Sequence, residues 1–165
     1  IYIGDDASTD GYPFERVSGF DFPFAGPAMG FTVNTQIALL RLMLDGAFDD
    51  MPNLKVMTGH LGEALPFLLE RISNRLAFSP SPSVKMQKNV KHYFANNIFV
   101  TTSGNCSKEA FECTKNELGI DHILYGSDYP FEDPRDMRDF TDSLSLTVEE
   151  RDKLYFRNAE QFINK

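Results

Sequence analysis

Two ionisable side chains, His60 and Asp128, stand at the ends of two short apolar runs of the sequence. A third apolar run, over residues 97–103, leads into Gly104 and Asn105. If the three runs are parallel strands of one sheet, their carboxyl ends meet at the same edge, where α/β proteins gather their functional residues. The sequence therefore predicts one site that contains both His60 and Asp128.

An imidazole and a carboxylate at such an edge allow two kinds of chemistry. Both are ligands for zinc, manganese or iron, and together they form a general acid/base couple because imidazole titrates at about pH 6.5. Glu63, three residues after His60, is spaced to orient the imidazole ring. Arg71 lies eight residues beyond Glu63 and offers a guanidinium fork for an anionic substrate.

Each of these residues also has a purely structural interpretation. A histidine after a strand is often a hydrogen-bonded loop residue, and an aspartate before Tyr-Pro is a natural turn former. An acidic residue in the first turn of a helix is favoured by the helix dipole, which accounts for Glu63, and Arg71 fits a solvated surface. The two other histidines, His92 and His122, are interpreted as structural because they do not follow a strand.

The elements that would hold these side chains alternate along the chain. Apolar residues at three- and four-residue spacing predict helices, and short apolar runs between turn-forming residues predict strands. The predicted helices cover residues 32–48, 62–78, 84–95, 107–118, 134–143 and 147–163. The predicted strands cover residues 54–60, 97–103 and 122–128. Strands that alternate with helices are typical of parallel pairing, so the sequence predicts the α/β class.

Length and composition set further limits. The 165 residues suggest a single domain, 1–165, in which residues 1–30 form an irregular lead-in rich in Gly, Pro and Phe. A net charge of −8 without a basic cluster argues against nucleic acid and against an anionic membrane surface. Two cysteines, Cys106 and Cys113, are interpreted as reduced thiols, which favours a cytoplasmic location.

Four stretches together resemble a known family. They are Thr58–Phe67 with Glu70-Arg71-Ile72, then Ala38–Phe48, then Val100–Asn105, then Ile123–Glu132. The resemblance is to the amidohydrolase-2 branch of the metal-dependent hydrolases. Within it, the sequence is most similar to non-oxidative decarboxylases of aromatic acids, such as γ-resorcylate and 2,3-dihydroxybenzoate decarboxylases, and more distantly to aminocarboxymuconate-semialdehyde decarboxylase.

The resemblance implies a role for each candidate residue. Asp128 matches the aspartate that ligates the metal, zinc or manganese, and takes part in proton transfer. His60 matches the histidine that acts as acid/base beside the metal, and Glu63 matches the glutamate that orients it. Arg71 matches an arginine that, in some relatives, reaches the substrate carboxylate of a neighbouring subunit in a dimer or tetramer. Tyr129 and Phe131, just after the aspartate, are candidates for the wall of the substrate pocket, with core packing as the alternative.

The resemblance also implies a larger fold than this chain can form. Members are (β/α)₈ TIM barrels of roughly 250 residues or more, and their first-strand Glu-x-His or His-x-His pair and mid-barrel histidine have no counterpart here. We expect the chain to be the C-terminal portion of such a barrel, about strands six to eight. The full-length parent is expected to decarboxylate a hydroxylated aromatic or enoic carboxylic acid. Hydrolysis of a lactone or ester is the alternative, and a catalytically incomplete, inactive fragment is the third possibility.

Overall fold

A three-stranded parallel sheet forms the centre of the computed structural model, which describes residues 23–78 and 81–163. The strands are β1 (Val56–Thr58), β2 (Ile98–Thr101) and β3 (Ile123–Leu124), in the order β1-β2-β3. In register, Val56 lies level with Ile98 on β2. The predicted α/β class with parallel pairing is confirmed.

Helices connect and cover the strands. They are α1 (Gly30–Leu44), α2 (Ala47–Asp50), α3 (Leu65–Phe78), α4 (Val90–Asn97), α5 (Lys108–Leu118), α6 (Pro134–Asp142), α7 (Val148–Asp152) and α8 (Asn158–Ile163). A 3₁₀ turn, Ile120–His122, leads into β3, and a π-helical stretch, Lys153–Arg157, joins α7 to α8. Among the described residues, no helix is both long and apolar enough to cross a bilayer.

Side-chain caps explain where several of the helices begin. Ser107 begins α5 by accepting a hydrogen bond from the backbone N–H of Ala110, and Thr147 with Glu150 forms a capping box at α7. The predicted helix over 84–95 begins only at Val90, because the side chain of Asn89 caps it there.

The predicted lead-in lies largely outside the described residues, which begin at residue 23. Its last part contains a π-helical turn, Phe24–Ala28, which carries Pro27 and a non-helical Gly26. Helix α1 then begins at Gly30, two residues before the predicted start.

The two faces of the sheet have different neighbours, because successive strand residues point to opposite sides. Val56, Val100 and Ile123 belong to the main hydrophobic core, which they share with side chains of the helices. On the opposite face, Phe99 stacks on the ring of His122, with ring centroids 4.4 Å apart. His122 also bonds the carbonyl of Ile98 through Nδ1, at 2.8 Å, which places this histidine in a structural contact away from the carboxyl ends of the strands.

The buried ring of Phe94 provides a test of this core. Replacement Phe94→Ala removes a side chain that is 0% exposed and leaves a cavity, so the free energy of unfolding should fall by about 3–5 kcal/mol. The control is Phe131→Ala, at a side chain that is 85% exposed, which should change it by no more than about 0.5 kcal/mol. Urea unfolding followed by circular dichroism measures both. Equal effects of the two variants would contradict this assignment of the core.

Candidate active site at the carboxyl edge of the sheet

Three of the predicted site residues come together at the carboxyl ends of the strands. His60 follows β1 and Asp128 follows β3, and the imidazole Nε2 lies 3.4 Å from Oδ2 of Asp128. On the other side of the ring, Nδ1 lies 2.5 Å from Oε1 of Glu63. His60 is therefore held between two carboxylates, in the linear order Glu63–His60–Asp128.

The backbone that carries His60 and Glu63 is left-handed. Five consecutive residues have positive φ: His60 (50°), Leu61 (55°), Gly62 (84°), Glu63 (56°) and Ala64 (62°). We call residues 60–64 the left-handed turn. This conformation costs roughly 1–2 kcal/mol for each residue with a side chain. Asp128 has a φ of 66°, so all three residues of the linear array share this strained conformation.

Contacts from the surrounding structure hold the left-handed turn in place. Leu61 is buried in the core, and its carbonyl accepts a hydrogen bond of 2.9 Å from the Thr114 hydroxyl of α5. The backbone N–H of His60 donates to Oγ of Ser103, just after β2, at 3.3 Å. At Gly62 a Cβ would lie only 3.3 Å from the ring of Phe94, so the turn packs closely on the core.

Gly104 brings the loop after β2 against the imidazole and the Asp128 carboxylate. Its φ is +63°, and a Cβ at this position would lie 2.9 Å from Cδ2 of His60 and 3.3 Å from Oδ2 of Asp128. A side chain here would therefore push the two groups apart. From the sequence, Gly104 was recognisable only as one of several residues at a strand end.

Thr32 of α1 also contacts the site, and the sequence analysis missed it. Its hydroxyl donates a 2.7 Å hydrogen bond to Oε2 of Glu63, the oxygen that does not face His60. The two residues are 31 positions apart, and a single hydroxyl in a helix carries no pattern that would connect it to a distant carboxylate.

The electrostatics of the array favour a protonated His60. The hydrogen bond that Nδ1–H of His60 donates to Glu63 is the main cause that raises the pKa of His60 from 6.5 to about 9, against the opposing effect of burial. The charges of Glu63 and Asp128 and the bond to Asp128 act in the same direction. At neutral pH the imidazolium therefore carries a proton on each nitrogen, one facing each carboxylate.

The other predicted residues do not join this array. Arg71 is exposed on α3, and Tyr129 and Phe131 are 76% and 85% exposed in the loop after β3. Neither aromatic side chain packs in the core. The loop nevertheless stays next to the site, since the N–H of Phe131 donates to the carbonyl of Asp128 at 2.8 Å.

Asp128 offers the donor chemistry of a metal ligand, but the described part of the chain does not complete a metal site. Its side chain is 33% exposed, and Oδ2 faces His60. Within residues 23–78 and 81–163, no group of three or more His, Cys, Asp or Glu side chains is arranged to hold a metal ion. A metal bound at Asp128 would need further ligands from elsewhere.

Comparison with protein families and curated proteins identifies relatives. A family model described as amidohydrolase matches residues 3–165. The γ-resorcylate decarboxylase of Polaromonas sp. strain JS666 is 35% identical over 136 residues, which are 82% of this chain and 42% of that protein. The enzyme of the same name from Rhizobium sp. strain MTP-10005 is 32% identical over 158 residues, 95% of this chain and 46% of that protein. The chain thus spans less than half the length of these relatives.

Two solved structures that resemble this chain are also those of decarboxylases, and the chain again covers less than half of each. A 2,6-dihydroxybenzoate decarboxylase from Rhizobium matches with a TM-score of 0.81 and 32% identity, over 91% of this chain and 47% of that one. A dihydroxybenzoic acid decarboxylase from Polaromonas sp. JS666, solved with manganese and the inhibitor 2-nitroresorcinol, matches with a TM-score of 0.78 and 34% identity. That match covers 85% of this chain and 43% of the other.

The pKa of His60 tests the array directly. Because it is raised above 6.5, protonation of His60 stabilises the fold fully below about pH 6.5, and this contribution disappears as the pH rises through about 9. Replacement Glu63→Gln removes the main cause and should lower the pKa of His60, as measured by NMR titration of the ring protons in metal-free buffer. The control Glu70→Gln, on the exposed side of α3, should leave it unchanged. An unaltered pKa in Glu63→Gln would contradict the array.

Proposed function

The chain belongs to the amidohydrolase family, and we propose that the protein that carries it removes carbon dioxide from a hydroxylated aromatic carboxylic acid. The observation that carries the proposal is the Glu63–His60–Asp128 array at the carboxyl ends of parallel strands. It occurs in a chain 32–35% identical to γ-resorcylate decarboxylases. An enoic acid, as in the more distant semialdehyde decarboxylases, is the second substrate class consistent with the family.

The proposed reaction needs a proton at one carbon atom. When the bond between the ring and the carboxylate breaks, carbon dioxide leaves, and the electron pair stays on the ring carbon until a proton binds there. The imidazolium of His60 holds a proton on Nε2, 3.4 Å from Oδ2 of Asp128, and this pair is the proton source in our proposal. Glu63 keeps the ring in position through Nδ1.

A divalent metal, zinc or manganese, fits the proposal as a cofactor held in part by Asp128. When bound, it would hold oxygen atoms of the substrate. Two observations support a metal: the carboxylate of Asp128 stands at the edge of the site, and the Polaromonas decarboxylase was solved with manganese.

We propose that β1, β2 and β3 are strands six to eight of a (β/α)₈ barrel. The parallel order β1-β2-β3 and the coverage of less than half of each relative support this. The remaining metal ligands would then come from the first strands of the barrel. The same reasoning predicts that this chain is inactive by itself.

We propose that the three exposed candidate residues bind the substrate. Tyr129 and Phe131 line the pocket in the intact protein, held beside Asp128 by the backbone bond of Phe131. Arg71, exposed on α3, reaches the substrate carboxylate of a neighbouring subunit in a dimer or tetramer.

The cytoplasmic location stays a prediction. Hydrolysis of a lactone or ester is the alternative activity, and the relatives described above, which are named decarboxylases, give it no comparable support.

Metal content tests the division of the site between this chain and the rest of the protein. After dialysis against metal-free buffer, elemental mass spectrometry should find little metal in the 165-residue chain and about one metal per subunit in the full-length protein. Treatment of the latter with a chelator should abolish activity, and zinc or manganese should restore it. A full complement of metal in the 165-residue chain would contradict the incomplete site.

Replacement Asp128→Asn tests the function itself. In the full-length protein, release of carbon dioxide from 2,6-dihydroxybenzoate should fall by at least ~10²-fold, because the variant loses both the carboxylate ligand and the partner of His60. The control Asp133→Asn changes an exposed carboxylate that caps α6 and should keep most of the activity. Ring opening of a lactone without release of carbon dioxide would favour the hydrolase alternative.

A further inference from the structure

The carboxylate of Glu63 is almost completely buried, with 5% of the side chain exposed, so both of its oxygens need partners. Oε1 faces Nδ1 of His60, and Oε2 accepts the hydrogen bond from the hydroxyl of Thr32. We propose that Thr32 is a positioning residue for the reaction: it fixes the plane of the Glu63 carboxylate and, through it, the ring of His60. The expected effect of Thr32 on turnover rests on the proposed function, whereas its effect on the position of Glu63 and His60 does not.

The hydrogen bond from Thr32 restricts the rotation of the Glu63 carboxylate group. Its terminal torsion is broad, and rotation about it turns the carboxylate plane at little cost. A bond at one oxygen leaves that rotation possible, whereas bonds at both oxygens, to partners on different elements, define the plane. The ring of His60 depends on that plane, because its bond to Glu63 keeps Nε2 directed at Asp128.

Thr32 is suited to this role because its own position is closely defined. It lies in the first turn of α1, and its branched side chain has few rotamers in a helix. A helical threonine commonly turns its hydroxyl back to the carbonyl one turn before it. Here the hydroxyl instead donates to Glu63, at 2.7 Å.

The start of α1 is fixed in turn by the segment before it. At Gly30, a Cβ would lie only 1.4 Å from the carbonyl oxygen of Ala25, in the π-helical turn Phe24–Ala28. Only a residue without a side chain permits this approach, which sets where the first turn of α1, and hence Thr32, stands. The close approach of Gly30 to Ala25 thus helps to place the Thr32 hydroxyl beside Glu63.

The test compares three variants of the full-length protein. Thr32→Val removes the hydroxyl and keeps the branched shape, Thr32→Ser keeps the hydroxyl and loses the methyl group, and Thr35→Val makes the same change one turn further along α1. Two quantities are measured: kcat for release of carbon dioxide from 2,6-dihydroxybenzoate, and hydrogen exchange of the ring Nδ1–H of His60 by NMR. The second does not require activity.

We expect Thr32→Val to lower kcat about tenfold or more, the size found when a partner of a functional residue is removed, with a smaller change in KM. The Nδ1–H of His60 should exchange faster in this variant. In Thr32→Ser and in Thr35→Val, both kcat and the exchange rate of the Nδ1–H should stay close to the values of the unmodified protein.

Each other outcome has a definite meaning. If Thr32→Val leaves exchange and kcat unchanged, or if Thr32→Ser behaves like Thr32→Val, the hydroxyl does not position the array and the inference is overturned. If exchange responds in Thr32→Val and is restored in Thr32→Ser while kcat is unaffected, the positioning is supported and the proposed role of the Glu63–His60 pair in turnover is wrong.

Discussion

The left-handed turn at residues 60–64 is the constraint on which the site depends. Four of its five residues carry side chains, so its backbone conformation costs about 4–8 kcal/mol. That is comparable with the whole stability of an ordinary domain. The turn persists because the core encloses Leu61 and because Thr114 and Ser103 bond its backbone. The packing of the helices therefore stabilises the geometry of His60 as well as the fold.

Together with Thr32, the Glu63–His60–Asp128 array joins side chains from three separate parts of the sequence. Thr32 comes from α1, Glu63 and His60 from the turn after β1, and Asp128 from the loop after β3. Each bond in the chain Thr32–Glu63–His60–Asp128 depends on the orientation that the preceding bond imposes. Gly104, from the loop after β2, keeps the space between His60 and Asp128 free of a side chain. All three strands thus contribute to the spacing of a single pair of groups.

The sequence was sufficient for the α/β class, for the parallel pairing of the strands and for the proximity of His60 to Asp128. Alternating apolar runs and helices predicted the parallel sheet, and the polar residues at strand ends predicted that His60 and Asp128 would meet. It predicted a helix from residue 62, whereas α3 begins at Leu65. Glu63 suits a first helical turn, but residues 60–64 have positive φ, and hydrogen bonds with the distant residues Thr114 and Ser103 hold them there. The contacts of Thr32 and Gly104 escaped prediction for the same reason, because they join residues distant in sequence.

The handedness of residues 60–64 also limits how this segment can evolve. Glycine adopts positive φ freely, asparagine adopts it at modest cost, and β-branched residues almost never do. The positive φ angles therefore restrict which residues are tolerated at five consecutive positions, whatever the chemical role of each side chain. At Ala64, whose side chain is exposed, this restriction acts without any demand from the core. If few residue types are tolerated at this position, the cause would be its left-handed backbone and not a contact with substrate.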